Sequence, residues 1–318
     1  MHLLITGGAG FIGSNFIRYL LKKYPDYKIT NLDKLTYAGN LENLKDIEKN
    51  KNYSFIKGDI CDKIIAKKLF KNADAVVNFA ASTHVDRSIL DADDFIQTNF
   101  VGAYTLLEAA KNNNIKLFIQ ISSDEAYGSI ASGYSKESDF LEPNSPYSAS
   151  KAAADLLARS YHVTHKLPVI ITRSSNNFGP YQYPEKVIPL FITNLIESKK
   201  VPLYGDGLNV RDWLYVLDNC SAIDLVLHKG KPGEIYNIGG GTLLNNKELT
   251  FKILKAFNKL EDSIEYVKDR PGHDRRYALD CAKMENLGWK PSHGFEEALH
   301  ETIDWYRKNT GWWNRLNV

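Results

Sequence analysis

A tyrosine and a lysine four residues apart, Tyr147 and Lys151, are the first candidates for chemistry in this sequence. Ser145 and Pro146 precede them in the pattern of a helix start, because serine caps helix N-termini and proline fits the first helical position. Residues four apart share a helix face, and a nearby ammonium favours an ionised phenol, so Tyr147 is a candidate base. The competing interpretation is a chance pair on an alanine-rich surface helix.

Three polar residues, Ser123, Asp124 and Glu125, follow a predicted strand at 117–121. Ligands of open parallel sheets bind beyond the carboxyl ends of the strands, so these side chains would reach a binding crevice. Two adjacent carboxyl groups act as an acid and a base only where their surroundings separate their pKa values. As a bare dipeptide, Asp-Glu is also typical of a solvated loop.

A glycine-rich turn follows the first predicted strand, with Gly7, Gly10 and Gly13 leading into an apolar helix. This spacing allows a tight turn, a close approach of backbone N–H groups to a pyrophosphate, and close packing of helix on sheet. Asp33, at the end of the second predicted strand, would accept a hydrogen bond from an adenosine ribose, so NAD is predicted rather than NADP. Asp59 is either an adenine contact or a turn residue. An oxidised nicotinamide would further favour ionised Tyr147.

Strands and helices alternate through the first half of the chain, which predicts an α/β fold with a Rossmann-type, doubly wound parallel sheet. The predicted strands are 3–6, 28–32, 53–56, 75–79, 117–121 and 169–172, and the predicted helices include 11–21, 106–110 and 152–157. Residues 1–177 are expected to form the NAD-binding domain, and residues 178–318 mainly a smaller mixed α/β substrate domain. The segment at about 211–238 is expected to return to the first domain, and 295–308 to form a closing amphipathic helix.

The composition indicates a globular protein, with 43% hydrophobic and 25% charged residues. A net charge of +2 without a basic tract gives no reason to expect nucleic-acid binding. Cys61, Cys220 and Cys281 are widely spaced, so neither a disulfide framework nor a metal site is expected. No apolar run reaches the ~18 residues of a membrane helix, and no signal sequence is evident, so a cytoplasmic protein without membrane partners is expected.

Five segments, 121–128, 143–151, 174–181, 211–216 and 269–277, resemble the dTDP-glucose 4,6-dehydratases, which are NAD-dependent members of the extended short-chain dehydrogenase/reductase family. The resemblance covers essentially the full length and implies a homodimer. We place the dimer face on Ala149, Ala152, Ala153, Leu156 and Leu157 together with Leu106, Leu107 and Ala110. The family usually has threonine where this chain has Ser123, so the hydroxyl is kept and a restraining methyl group is lost.

The resemblance also implies ligand contacts across the chain. The implied NAD contacts are Gly7, Gly10, Phe11, Ile12, Gly13, Asp33, Lys34, Leu35, Thr36, Asp59, Ile60, Phe79, Ala80, Ala81, Thr83, Thr98, Tyr147, Lys151 and Asn177. The implied nucleotide-sugar contacts are His84, Arg87, Ser123, Asp124, Glu125, Asn176, Lys186, Val187, Pro202, Tyr204, Arg211, Asn246, Arg270 and His273. Arginine suits a diphosphate because its planar fork binds two oxygens at once.

The implied reaction dehydrates dTDP-glucose to dTDP-4-keto-6-deoxyglucose. In it, Tyr147 takes the C4 hydroxyl proton as hydride passes to NAD, Glu125 removes the C5 proton, and protonated Asp124 donates to the departing C6 hydroxyl. A UDP-glucose dehydratase, a nucleotide-sugar 4-epimerase or decarboxylase, and a non-catalytic NAD-sensing protein are the alternatives. Asp124 and Glu125 count against an epimerase, because epimerisation needs no second acid and base pair.

Overall fold

A seven-stranded, fully parallel sheet organises the computed structural model, which describes residues 1–316. The strands are β1 (His2–Thr6), β2 (Lys28–Asp33), β3 (Tyr53–Lys57), β4 (Ala75–Asn78), β5 (Leu117–Ser123), β6 (Val169–Ser174), β7 (Asn176–Phe178), β8 (Val201–Tyr204), β9 (Val210–Tyr215), β10 (Ile235–Ile238), β11 (Leu243–Asn245) and β12 (Ile264–Val267). The large sheet has the strand order β10-β6-β5-β4-β1-β2-β3. The six predicted strands are all present, and the predicted doubly wound α/β fold is confirmed.

Helices cover both faces of this sheet. They are α1 (Phe11–Lys23), α2 (Lys63–Phe70), α3 (Val85–Leu90), α4 (Asp93–Phe95), α5 (Ala103–Lys111), α6 (Pro146–His165), α7 (Val187–Ile196), α8 (Val216–Lys229), α9 (Asn246–Ala256), α10 (Ala282–Asn286), α11 (Phe295–Lys308) and α12 (Thr310–Trp313), with a π-helical turn at Ile96–Gly102 before α5. The closing helix α11 has the bounds that the sequence predicts. Across residues 1–316, no helix combines the length and the apolar character needed to span a bilayer.

The sheet order reverses at its centre, where β1 pairs with β2 on one side and with β4 on the other. The loops that leave these strands diverge, which opens a crevice at the carboxyl edge of the sheet. The second half of the chain returns to this sheet through β10, which pairs with β6, and through α8, which packs on α1. The strand β9 instead lies in a separate three-stranded sheet with β7 and β11, and β8 pairs with β12.

Helix α6 is held against the sheet by a buried ion pair. Nε of Arg173, on β6, lies 2.9 Å from Oδ2 of Asp155, on α6, and both side chains are almost fully buried. A buried charge that loses its partner is costly, because neither water nor a counter-ion compensates it. The pair therefore fixes the helix that carries Tyr147 and Lys151.

We predict that Asp155→Ala lowers the free energy of unfolding by about 3–5 kcal/mol, because it leaves the Arg173 guanidinium buried and unpaired. The matched control is Lys116→Ala, which breaks an exposed pair with Asp74 and should cost about 1 kcal/mol or less. Urea denaturation followed by circular dichroism measures both. Equal stability of Asp155→Ala and the wild type would contradict the prediction.

Candidate active site

A cleft of about 300 Å3 lies at the carboxyl edge of the large sheet, at the strand reversal. Its lining includes every implied NAD contact except Leu35, together with Ser123, Asp124, Glu125, Asn176 and Lys186 of the implied nucleotide-sugar contacts. The structure thus brings together, in one cleft, residues that are far apart in the sequence.

The glycine-rich turn forms one wall of the cleft, and its shape excludes side chains. Gly7 has a positive φ of 68°, and a Cβ there would lie 2.5 Å from the backbone nitrogen of Ala80. A Cβ on Gly13 would lie 2.5 Å from the carbonyl oxygen of Gly7. Asp33 accepts hydrogen bonds from the backbone N–H groups of Ala9 and Leu35, so its carboxylate is fixed at the end of β2. Such a bare turn before a helix N-terminus fits a dinucleotide diphosphate.

Several buried polar atoms that line the cleft have no hydrogen-bond partner within residues 1–316. They are Ser122 Oγ, Asp124 Oδ2, Ser175 Oγ, Asn176 Oδ1, Asn177 Oδ1 and Gln182 Oε1. Buried polar groups in native proteins are normally paired, so these atoms indicate a polar ligand.

Elsewhere in the cleft lining, Lys34 pairs with Asp59 at 2.7 Å, and Asp59 also accepts a turn hydrogen bond from Cys61 N.

The tyrosine and lysine lie near the start of α6, after a capping box formed by Ser145 and Ser148. Both side chains are buried, and Lys151 Nζ donates a 2.6 Å hydrogen bond to the carbonyl oxygen of Ile121. In the protein without cofactor, burial, assisted by nearby Glu125, raises the pKa of the Tyr147 phenol, so ionisation of Tyr147 stays a prediction that depends on the bound nicotinamide. Burial also lowers the pKa of Lys151 to about 8.

The two adjacent carboxyl groups lie in different surroundings. Asp124 is 3% exposed, and burial together with Glu125 and Asp212 raises its pKa well above the usual range. Burial also raises the pKa of Glu125, but the positive charges of Arg211 and Arg270 oppose the rise. We infer that Asp124 holds a proton more firmly than Glu125 does.

Local hydrogen bonds of Ser123 orient the Asp124 carboxyl group and fix the backbone of Glu125. The Ser123 hydroxyl donates to Asp124 Oδ1 at 3.2 Å and accepts from the backbone N–H of Glu125 at 3.3 Å. Ser123 thereby caps the 3-10 turn Asp124–Tyr127. The chain turns sharply after β5, so that successive side chains, which would alternate across a strand, all line the cleft.

Three cations from the second half of the chain, Lys186, Arg211 and Arg270, influence Glu125. Arg211 is buried, donates to the carbonyl oxygen of Asp274 at 2.8 Å and lies over the Tyr277 ring at 4.4 Å. Lys186 donates to the carbonyl oxygen of Thr83.

The remaining implied nucleotide-sugar contacts lie outside the cleft lining. Arg270 pairs with Asp86 at 3.3 Å, and the rings of Tyr204 and His273 meet edge to face. His84 caps α3, whose residue Arg87 lies 3.2 Å from Glu185. The other three lie in secondary-structure elements: Val187 begins α7, Pro202 lies in β8 and Asn246 begins α9.

Sequence reasoning missed two acidic residues at this site. Glu185 is nearly buried, accepts from Tyr37 Oη at 2.9 Å and lies close to Arg87, so it links the loop after β2, helix α3 and the loop before α7. Asp212 accepts from the backbone N–H groups of Gly240 and Thr242. Their positions beside Lys186 and Arg211 in the sequence are the signal that could have drawn attention to them.

Comparisons with known proteins agree with this geometry. The family described as GDP-mannose 4,6 dehydratase matches residues 4–302. A dTDP-glucose 4,6-dehydratase of Streptomyces antibioticus is 53% identical over 99% of this chain and 95% of its own length. The low-salt glycan biosynthesis protein Agl12 of Haloferax volcanii is 54% identical over 96% of this chain and 98% of its own.

Among solved structures, the dTDP-glucose 4,6-dehydratase DesIV of Streptomyces venezuelae, with NAD and dTDP bound, superposes with a TM-score of 0.98 at 51% identity, covering 100% of both chains. This chain therefore belongs to the nucleotide-sugar 4,6-dehydratase family.

Proposed function

We propose that this protein is an NAD-dependent hydro-lyase that converts dTDP-glucose to dTDP-4-keto-6-deoxyglucose, a precursor for deoxysugar biosynthesis such as that of rhamnose. The observation that carries the proposal is the pair of adjacent carboxyl groups in unlike surroundings, beside a buried tyrosine at the end of a dinucleotide cleft. NAD suits this cleft because Asp33 lies where a ribose hydroxyl would bind. When bound, NAD supplies the acceptor and later the donor of the sugar hydride.

The first chemical task of the chain is to remove the proton of the C4 hydroxyl. Tyr147 is the base, and the raised pKa of its phenol means that the positive charge of an oxidised nicotinamide is needed beside it. The Lys151 ammonium donates a hydrogen bond to the carbonyl oxygen of Ile121. It therefore anchors α6 to β5 and keeps its own positive charge in place, rather than hydrogen-bonding directly to the Tyr147 phenol. Ser123 offers its hydroxyl to orient the C4 oxygen.

The second task is elimination of water across C5 and C6. Glu125 is the base that takes the C5 proton, because three cations oppose the rise in its pKa. Asp124, whose pKa burial raises most, is the acid that protonates the departing C6 hydroxyl. An epimerase needs neither group, which favours dehydration. Lys186, Arg211 and Arg270 are proposed to hold the diphosphate, and a UDP-sugar remains the alternative substrate.

The positions of the cleft-lining residues suggest which part of the chain binds each ligand. Residues 1–177, together with α8 and β10, are proposed to carry NAD, and the rest of 178–318 the nucleotide-sugar. The three free thiols, Cys61, Cys220 and Cys281, support a reducing, cytoplasmic location.

We also propose a homodimer, with a correction to the face that the sequence suggested. Of the expected face, Leu106, Leu107, Ala110 and Ala152 are buried in the core of the subunit itself and are not available to a partner. Large apolar side chains that are exposed on the same helices and the adjoining π-helical turn support a contact between two copies instead. They are Ile96, Phe100, Tyr104, Leu156 and Val163.

We predict that Glu125→Gln lowers the rate of 4-keto product formation by about two orders of magnitude or more, because it removes the base at C5 and leaves Tyr147 in place. Reduced cofactor should therefore accumulate, measured by its absorbance on mixing with dTDP-glucose. The control Glu142→Gln changes an exposed carboxylate and should leave turnover unchanged. In deuterated water, wild-type product should carry deuterium at C5. Full turnover by Glu125→Gln, or product without deuterium at C5, would overturn the proposed role.

For the dimer, we predict that light scattering gives the mass of two chains at micromolar concentration. Phe100→Glu combined with Leu156→Glu should give one chain, because two buried like charges oppose association across a symmetric interface. Leu260→Glu changes an apolar residue that is 76% exposed elsewhere and should leave the mass unchanged. A wild-type monomer would reject the proposal.

A further inference from the structure

The C-terminal helices bring an aromatic cluster against the start of the chain. Trp305 and Trp312 meet with ring centroids 5.0 Å apart, and Tyr181 lies 4.6 Å from Trp305. The guanidinium of Arg18, on α1, lies over the Tyr181 ring at 4.5 Å from its centroid. Residues near the C-terminus therefore pack beside the helix that follows the glycine-rich turn.

Within this cluster, a hydrogen-bond relay runs from Trp312 to the glycine-rich turn. The indole Nε1 of Trp312 donates to Oδ1 of Asn43 at 2.8 Å, and Nδ2 of Asn43 donates to the carbonyl oxygen of Ala9 at 2.9 Å. Chemistry fixes the orientation of the amide, because an indole N–H only donates and a carbonyl oxygen only accepts. Asn43 is 2% exposed, so water does not replace either partner.

Both backbone polar groups of Ala9, in the glycine-rich turn, are hydrogen-bonded to residues outside the turn. Its N–H donates to Asp33 Oδ2 at 2.9 Å, and its carbonyl oxygen also accepts from Asn40 N at 3.0 Å. Ala9 itself is fully buried, between Gly7 and Gly10, which line the cleft. A small displacement of Ala9 would move the N–H groups of the turn away from a bound diphosphate, and such groups act only when they are held in place.

We propose that Trp312 is a positioning residue for the dinucleotide turn, acting through Asn43, so that the C-terminal helix α12 sets how long NAD is retained. The proposal rests on the proposed binding of NAD. Neither Trp312 nor Asn43 lines the cleft, so the proposed effect on NAD runs through the turn. The relay joins positions 269 residues apart and makes NAD retention depend on the docking of the last helices.

The test measures NAD release from the purified holoenzyme. Protein is diluted into alcohol dehydrogenase and ethanol, which convert released NAD to NADH, and absorbance gives the release rate. Trp312→Phe keeps the ring and removes only the N–H, and we expect it to speed release about threefold to tenfold, the range of one net hydrogen bond. Asn43→Asp keeps the acceptor for Trp312 but removes the donor to Ala9, and it should speed release at least as much.

Trp289→Phe is the matched control, because it removes an indole hydrogen bond of the same length, to Ser221 Oγ, that does not reach the turn. It should release NAD at the wild-type rate. Adding Trp312→Phe to Asn43→Asp should produce no further increase, because the two residues act in series. Excess NAD should restore the turnover of Trp312→Phe, which it would not do for general structural damage.

The outcomes distinguish failure of the NAD assignment from failure of the Trp312–Asn43 relay. If wild-type protein holds no NAD, the proposed cofactor is wrong. If it holds NAD and Trp312→Phe releases it at the wild-type rate, the relay is wrong while the cofactor assignment stands. Equal acceleration by Trp312→Phe and Trp289→Phe, or additive effects of Trp312→Phe and Asn43→Asp, would also reject the relay.

Discussion

The burial of two neighbouring carboxyl groups at the end of β5, complete for Asp124 and partial for Glu125, is the constraint on which the rest of the site depends. Two negative charges in adjacent, water-poor positions repel each other and lose hydration, so such a pair keeps a proton unless cations compensate it. The chain supplies the compensation unevenly. Arg211 opposes the rise in pKa at both groups, but at Asp124 the negative charges of Glu125 and Asp212 counter it. At Glu125 two further cations, Arg270 and Lys186, add to Arg211 against the single carboxyl group of Asp274. An acid and a base are thereby made from two residues that are chemically almost the same.

This asymmetry gives the second half of the chain a role in the proposed catalytic centre. The Rossmann-type sheet alone would present both carboxyl groups to the crevice without distinguishing them. β9 carries both Arg211 and Asp212, so one strand supplies a cation that acts on both carboxyl groups and an anion that raises the pKa of Asp124. Helix α6, anchored by Asp155 and Arg173, completes the site. In the proposed mechanism, elimination and C4 oxidation share one site because residues from both halves of the chain meet there.

Much of the fold could be predicted because its determinants are local. Buried parallel strands are continuous apolar runs, glycine is required where the turn has a positive φ, and the Ser145 cap marks the start of α6. The proposed dimer face could not be predicted in the same way, because apolar spacing does not distinguish a helix face buried in the subunit, such as that of Leu106, from one that stays exposed. The ionisation of Tyr147 also depends on burial and on charges distant in the sequence.

Infrared difference spectroscopy of the NAD-loaded protein at neutral pH tests the central claim most directly, because a protonated carboxyl group has a C=O stretch distinct from that of a carboxylate. We expect the wild type to show the band of a buried, protonated carboxyl group, Asp124→Asn to lose it, and Glu125→Gln to retain it. Loss of the band in Glu125→Gln with retention in Asp124→Asn, or identical bands in the wild type and Asp124→Asn, would contradict the assignment of acid and base.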